Sequence, residues 1–461
     1  MSTTKSNYNY NYNVDVVIGS QLGDEGKGRL IDILASKYDI VARCNSGGNA
    51  GHKVIVGDKS YAFHLVPSGI LNPNCIGIIG NGCVIHLKDL RKEIETIQNT
   101  NPDNKDTNDI TKRLYISDRA HIVIDAHKEA DAAREFKKSC SSNPKSVIGT
   151  TKQGMGPVYS TKALRVGLRM CDLFLEKEIL MEKVKGLVEE LETTLGYTID
   201  IIQVMNDIEH EIEFYRPMVI DTITYLNTAI KKGSRVLVEI AQACLLDIDF
   251  GVYPYCTATN CSVGAICSGL GIPAQCIGKV NYVLKTYCTR VGNGPFPTEL
   301  LCNLGDKLQV IGKEFGTTTS RKRRCGWLDI PMVKWATMIN GCDNATLCLI
   351  KLDVLDTFEE IKLAVGYKMK GGNGENGGNG ENGGNGVYDV CGFPSSLETL
   401  AKVEVEYEVF DGWMTPTTDI RDFNNLPINA KKYLKRIEEL IGIPIKFVGV
   451  GAEREAMIQI A

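Results

Sequence analysis

The chain has no uninterrupted apolar run of about 18 residues, so no segment reads as a membrane-spanning helix. It has no C-x-x-C pair. Its 16 cysteines among 461 residues often fall inside apolar runs, as Cys83 does in GIIGNGCVIH and Cys348 in ATLCLIKLD. Buried free cysteine behaves as a small hydrophobe, so these read as reduced core thiols of a cytosolic protein rather than a disulfide framework. Histidine is scarce. His52, His64, His86, His121, His127 and His210 show no ligand spacing, and His121 and His127 are too far apart for one helical turn, which argues against zinc. There is no surplus of positive charge: Lys plus Arg total 52, Asp plus Glu 56, and the formal net charge is −4. A protein whose main work is gripping nucleic-acid phosphates needs the opposite balance. The opening MSTTKSNYNYNYNV lacks the apolar centre of a secretory signal.

What remains is an ordinary globular composition, 43% hydrophobic and 23% charged. At about 100–200 residues per domain, the length allows two or three domains or one large α/β domain with insertions. Residues 1–13 are an Asn/Tyr tract that reads as a disordered tail. The fold starts at Val14. VDVVIG is a short β-branched run ending in Gly19; a Gly-rich turn follows, then a helix near Gly26–Tyr38 and a strand in DIVAR. That order predicts an α/β parallel sheet. IGIIGNGCVIH (Ile76–His86) reads as one further strand, followed by a helix over 87–98, a polar loop over 100–110 and the strand LYISDRAHIVI. Over about 174–232 the apolar positions fall three and four apart, which predicts two or three amphipathic helices forming a lobe. SRVLVEIA, VNYVLKTYCTRV and TLCLIKLDVLD return to strand. Residues 371–386, GGNGENGGNGENGGNG, cannot bury apolar surface and read as a flexible insertion. The chain closes with a helix over Ile428–Ile441, a strand in IPIKFVGVG and a short helix from Glu453.

Several segments carry chemistry. GSQLGDEGKGR (Gly19–Arg29) follows a strand and opens a helix. Glycines let backbone N–H groups approach a phosphate, and a helix N-terminus adds positive potential. Lys27 would reach a terminal phosphate. The Walker pattern is not met, because Gln21 stands at its first glycine and Gly28 replaces its Mg²⁺-binding hydroxyl. A phosphate cradle and a plain strand-to-helix turn both fit this pattern. Asp24 and Glu25 also have two readings, acids that suit a first helical turn or groups placed for proton or metal chemistry. NSGGNAGHKV (Asn45–Val54) is a second glycine-rich loop, with His52 beside it. In LIKLDVLD, Lys351 and Asp353 end an apolar strand. A carboxylate there can accept from both the N1–H and the 2-amino group of guanine, which favours GTP over ATP. GTTTSRKRR (Gly316–Arg324) carries three threonines and four cations. Such a run is a solvated basic face or a grip for a small dianion, each charge-assisted bond contributing about 1.5–3 kcal/mol. GTTKQGMGPVYSTKALRVGLR and AQACLLDIDFGVYPYCTATN are loop-like, and either can surround a nucleoside monophosphate.

Together, GDEGKG, GGNAGH, GTTKQGMGP, AQACLLDIDFGVYP, TRVGNGPFPTEL, GTTTSRKRRCGWLD, KLDVLD and VGVGAERE closely resemble the adenylosuccinate synthetase family. The resemblance runs from Val14 to the C-terminus, leaving out the tail and the 371–386 repeat. It implies a single large α/β domain with a mainly parallel, P-loop-like central sheet and helical subdomains, working as a cytoplasmic homodimer. It implies a ligase that joins IMP and L-aspartate with GTP as co-substrate and one Mg²⁺ per subunit. The 6-oxygen of IMP leaves poorly; removing the N1 proton gives a 6-oxyanion that takes the γ-phosphoryl group, and the amine of aspartate then displaces phosphate. By the resemblance, the catalytic residues are Asp24 (base), His52 (acid), Lys27 and Gln242. The metal ligands are Asp24 and the carbonyl of Gly51. GTP meets Gly23, Asp24, Glu25, Gly26, Lys27, Gly28, Arg29, Gly51, His52, Lys53, Arg323, Lys351, Leu352, Asp353, Gly449, Val450 and Gly451. IMP meets Asp24, Lys27, Asn49, His52, Thr151, Gln242, Thr257 and Arg321, with Arg165 given across the dimer interface. Aspartate meets Thr317, Thr318, Thr319, Arg321 and Arg323. Gly449 departs from the family, which often has a hydroxyl residue there.

Two other function classes stay open on the residues alone. A GTP-binding switch without ligase activity is motivated by the glycine loop and K-x-D. A nucleic-acid binder using Arg321 to Arg324 is opposed by the net charge.

Overall fold

A computed structural model of the protein describes residues 13–56, 59–100, 109–140, 147–315, 322–341, 343–370, 387–389 and 392–460. Within these, the side chains of residues 52, 53, 55, 56, 60, 370 and 387–389 fall outside the description.

Ten strands build one central sheet, and they are labelled in chain order. They are β1 (Val14–Gly19), β2 (Ile40–Arg43), β3 (Ile76–Ile79), β4 (Leu114–Ser117), β5 (Val219–Ile220), β6 (Val236–Ala243), β7 (Ile277–Lys285), β8 (Ala345–Ile350), β9 (Ile445–Gly449) and β10 (Met457–Gln459). Their spatial order is β10-β9-β8-β7-β1-β6-β2-β3-β4-β5. All neighbours run parallel except β9 and β10. Parallel strands covered on both faces need near-continuous apolar runs, and β8 is buried at all six positions. The chain therefore folds as one α/β domain around a mainly parallel sheet.

Strand order reverses around β1. From β1 the chain builds outward through β2, β3, β4 and β5; it returns with β6 between β1 and β2, then crosses to β7 on the far side. A crevice outside the carboxyl ends of the strands is the expected ligand position at such a switch point. The loops after β1, β2, β6, β7, β8 and β9 all leave from that edge.

The main helices are α1 (Lys27–Ala35), α2 (Leu87–Asn99), α3 (Asp125–Ser139), α4 (Met155–Leu164), α5 (Lys177–Leu195), α6 (Ile201–Glu209), α7 (Thr222–Lys231) and α8 (Ile428–Ile441). Helix α1 buries Leu30, Ile31 and Leu34 against Val17, Val41, Leu237 and Cys348 of the sheet. On α5, Leu180, Val184, Leu187, Val188 and Leu191 form one buried face. They pack against Ile122, Met170, Met205 and Ile208 in a second core. At about 1.5–3 kcal/mol per fully buried aliphatic side chain, that face is what holds α5 in place.

Three sequence expectations are corrected here. Ile76–His86 is two strands in different sheets, β3 and Val84–His86, with Gly80 at the break. A Cβ at Gly80 would lie 2.4 Å from the carbonyl oxygen of Gly269, so the chain turns where only glycine fits. LYISDRAHIVI likewise splits into β4 and His121–Val123. No helix starts at Glu453; a turn leads directly into β10, whose pairing with β9 uses the backbone a helix would have needed. Between the amphipathic helices, Val219–Ile220 adds the edge strand β5, too short for a periodicity signal. The tail (residues 1–12), most of the 100–110 loop and the 371–386 repeat lie outside the described residues. The repeat connects two antiparallel partners, Glu360–Lys370 and Val387–Asp389.

Candidate active site

The loop after β1 is organised from inside by Glu25. Its carboxylate is fully buried and Oε1 accepts from the Gln21 N–H at 3.2 Å and the Gly23 N–H at 2.8 Å, while Oε2 pairs with Lys27 Nζ at 3.2 Å. Gly19 makes room for it, since a Cβ there would lie 2.3 Å from Oε2. The side chain of Glu25 thus lies beneath the loop, and only its backbone is free to face a phosphate. Gln21 clamps the loop to the end of β7: its Oε1 accepts from the Lys285 N–H at 3.0 Å, and its Nε2 donates to the carbonyls of Lys285 and Tyr287. This explains why a glutamine replaces the first Walker glycine. Asp24 follows at φ 58°, in the left-handed region that non-glycine residues seldom adopt. Gln242, at the end of β6, has φ 56°, and Lys351, after β8, has φ 64°. With Ser46 after β2, at φ 72°, four such residues at the carboxyl edge of one sheet mark a site where backbone strain is tolerated to aim side chains.

The loop after β2 is tied to β6 by Asn45, which accepts from the Ala241 N–H at 2.9 Å and donates to the Asn260 carbonyl at 2.9 Å. Ser46 Oγ donates to Asn49 Oδ1 at 2.6 Å. Opposite, α3 fastens the loop that precedes α4. Glu135 accepts from the Gly149 N–H at 2.9 Å and Asp131 from the Gly154 N–H at 3.1 Å. These loops enclose a cavity of about 480 Å³ lined by Asp24, Lys27, Asn49, Gly51, Thr151, Gln242 and Thr257. Lys27 Nζ also donates to the carbonyl of Gln242, bridging the start of α1 and the end of β6.

From Asp24 a polar chain runs toward β8. Arg323 Nε donates to Asp24 Oδ2 at 2.7 Å, and its Nη1 donates to Glu314 Oε2 at 2.7 Å. Glu314 also receives Lys285 Nζ at 2.8 Å, the Tyr287 hydroxyl at 2.5 Å and, at 3.3 Å, Lys351 Nζ. Burial alone would raise the pKa of Glu314, but Lys285, Lys351 and Arg323 hold it down to about 2. Burial lowers that of Arg323, yet Asp24 and Glu314 leave it raised. Beyond Lys351, burial pushes the Asp353 carboxyl up, and its Oδ1 is a buried acceptor with no hydrogen-bond partner among the described residues. Arg29 lies in its field and donates to the carbonyl of Gly451.

The structure therefore gathers the sequence candidates into two adjoining regions. Gly23, Asp24, Gly26, Lys27, Gly28, Asn49, Gly51, Thr151, Gln242 and Thr257 line the cavity. Arg29, Lys351, Leu352, Asp353, Gly449, Val450 and Gly451 sit at the ends of α1, β8 and β9, with Leu352 and Val450 buried. A Cβ at Gly449 would lie 3.3 Å from Arg29 Nη1, so the small residue leaves the arginine its path. Arg165 stands apart: it is exposed, at φ 67°, just past the end of α4, and does not line the cavity. Thr317, Thr318, Thr319 and Arg321 lie outside the described residues, as do the side chains of His52 and Lys53. Sequence reasoning missed the buried pair Arg43–Glu239, 3.1 Å apart between the end of β2 and the middle of β6, and the loop anchors Asp131 and Glu135. For the pair there was a signal: each is a lone charge inside an apolar run.

Comparison with known proteins agrees along the chain. The family description "adenylosuccinate synthetase" matches residues 16–458. The chain is 46% identical over 451 residues to adenylosuccinate synthetase of Candida glabrata, covering 97% of this chain and 99% of that protein. It is 46% identical over 454 residues to the Drosophila melanogaster enzyme, covering 97% and 94%. Among solved structures, fully ligated adenylosuccinate synthetase from Plasmodium falciparum superposes with a TM-score of 0.88 at 41% identity, covering 97% of this chain and all of that one.

Proposed function

Because this chain belongs to the adenylosuccinate synthetase family, we propose that its cavity is the IMP site and that the adjoining region at the ends of β8 and β9 takes the guanine of GTP. The enzyme joins IMP to L-aspartate, forming adenylosuccinate, GDP and phosphate through a 6-phosphoryl-IMP intermediate. The reading of a GTP switch without ligase activity is not favoured. The observation that carries the assignment is that Asp24, Lys27, Asn49, Thr151, Gln242 and Thr257 line one shared cavity.

In this reading Asp24 takes the proton from N1 of IMP, so that negative charge moves to the 6-oxygen. A carboxylate paired with a guanidinium is a poor base, so the Arg323–Asp24 contact at 2.7 Å marks a resting arrangement. Arg323 leaves Asp24 when aspartate's carboxylates or the donor phosphates offer it a stronger partner. Lys27, held between Glu25 and the Gln242 carbonyl, turns to the transferring phosphoryl group, and His52 supplies the acid that stabilises its oxygen. The carbonyl of Gly51 and the backbone of Gly23 to Gly28 line the phosphate path. Asp353, joined by Lys351 and Arg29, holds guanine, with Leu352 and Gly449 to Gly451 bounding the base. Thr317 to Thr319, with Arg321 and Arg323, grip aspartate.

Mg²⁺, when bound, offsets charge on the transferring phosphoryl group. The residues fit it. Asp24 and Gly51 line one cavity, and the hard oxygens of a carboxylate and a backbone carbonyl are the donors such an ion would take. Among the described residues, no group of three or more His, Cys, Asp or Glu could hold a metal ion, so Asp24 and the Gly51 carbonyl are the residues that would hold it.

We further propose a homodimer in which Arg165 reaches the partner's IMP phosphate; its exposure beside the exposed Leu164 supports this. A cytoplasmic location is likewise our reading, supported by the free cysteines among the described residues. Among the described residues, no helix is long and apolar enough to cross a membrane. The test is product formation by the purified protein with IMP, GTP, aspartate and Mg²⁺. GTP turnover independent of IMP and aspartate would overturn the assignment.

A further inference from the structure

We propose that Glu314 is a positioning residue that ties the guanine end of the site to its acid–base end. The proposal rests on the assignment of Lys351 to GTP and Arg323 to aspartate. Glu314 is fully buried and both carboxylate oxygens are in use. Oε2 receives Lys285 at 2.8 Å and Arg323 at 2.7 Å; Oε1 receives Tyr287 at 2.5 Å and Lys351 at 3.3 Å. For stability alone one cation suffices, and Lys285 already fills that part: it is buried beside Glu314, further held by Thr289 at 2.8 Å. Arg323 and Lys351 are a surplus over neutralisation; Lys351 is assigned to GTP, and Arg323 to aspartate as well as to GTP. The Lys351 side chain is partly open at 32% exposed, and Arg323, at 9%, is buried less completely than Lys285 at 1%. Lys351 is further directed by its left-handed backbone and by donation to the Gly312 carbonyl. One buried anion thus sets where two substrate-facing cations stand. An unbroken chain, Asp24–Arg323–Glu314–Lys351, links the proposed base to the donor's purine. Glu314 touches no reacting atom and acts through the two cations.

The experiment is steady-state kinetics of the full-length enzyme carrying Glu314→Gln, with each substrate varied in turn, beside its thermal midpoint. KM for GTP and KM for aspartate should rise together by about 10- to 100-fold, the scale of one charge-assisted contact each, while KM for IMP stays within about threefold. A second variant, Glu314→Gln with Lys285→Met, removes the buried pair together and should recover the thermal midpoint without recovering either KM. Recovery of kinetics along with the midpoint would overturn the proposal, as would a uniform loss for all three substrates or unchanged KM values. If the single variant does not fold, the double variant alone decides, on the same comparison with wild type. Lys351→Met separates the two levels. If it leaves KM for GTP unchanged, the guanine assignment itself fails; if it raises that KM and Glu314→Gln does not, only the coupling fails.

Discussion

Asp353→Asn is the sharpest test of base recognition. The wild-type carboxylate presents two acceptors, and Oδ1 lies buried without a hydrogen-bond partner among the described residues. Lys351 and Arg29 lie in its field. Guanine offers two donors in a row, N1–H and the 2-amino group. An amide keeps one acceptor for N1–H but turns its own N–H₂ toward the 2-amino group, so one charge-assisted bond is lost and two donors face each other. The lost bond and the unsatisfied donor together cost about 3–5 kcal/mol, or roughly 100- to 5,000-fold in kcat/KM. Asp353 is only partly buried, so the lower end applies. Xanthine carries a carbonyl where guanine has the amino group, and it accepts from the new amide. XTP should therefore become the better donor for the variant while IMP and aspartate kinetics change little. The assay is product formation with GTP, XTP and ATP compared at fixed IMP and aspartate. Retained GTP preference with no gain for XTP would refute guanine recognition by this residue.

Asp24→Asn keeps the side chain's volume and removes its basicity; kcat should fall by about 10²- to 10⁴-fold with KM for GTP changed only a few-fold, and near-normal turnover would remove it as the base. Gln21→Ala unclamps the phosphate loop from β7, where the amide makes three bonds to backbone groups. It should lower the thermal midpoint and raise KM for GTP together, and separation of the two effects would contradict the clamp. Acid stability follows from two buried histidines. Burial lowers His121 to about 4 and His127 to about 3. The unfolded chain takes up these protons below its ordinary pKa of about 6.5 and the folded chain does not, so stability falls from there down to the folded values, by about 2 kcal/mol per histidine at pH 5. Denaturant midpoints between pH 7 and pH 5 measure this, and His127→Gln should flatten the slope; an unchanged slope would contradict it. Glu314 contributes stability that is present above its unfolded value and lost as pH falls toward 2.

The strands that anchor the site were legible because their physics is local. VDVVIG and ATLCLI are apolar runs of β-branched and aliphatic residues, interrupted only by Asp15 and Thr346, close to what a sheet covered on both faces demands. Helix α8 was legible at about its observed bounds, Ile428–Ile441. Where the reading failed, tertiary geometry decided. Nothing in IGIIGNGCVIH shows that Gly80 must turn to pass Gly269, far along the chain. A helix from Glu453 was plausible by composition, but the open edge of β9 claimed the segment as a strand. In the candidate site, the glycine loops announced themselves through spacing, whereas the supporting charges did not. Glu314, Lys285 and Tyr287 look like surface residues in sequence; their burial arises only when β7 and the segment after Val310 pack together. Glu25 shows the same limit. It reads as an acid suited to a helix start, yet the fold turns it inward as the counter-charge of its own loop.

The central claim is that the 6-oxygen of IMP leaves as phosphate. IMP labelled with ¹⁸O at that position, turned over with GTP, aspartate and Mg²⁺, tests it directly by mass analysis of the released inorganic phosphate. The account predicts one ¹⁸O atom in each phosphate formed. Phosphate free of the label, with adenylosuccinate still produced, would contradict it.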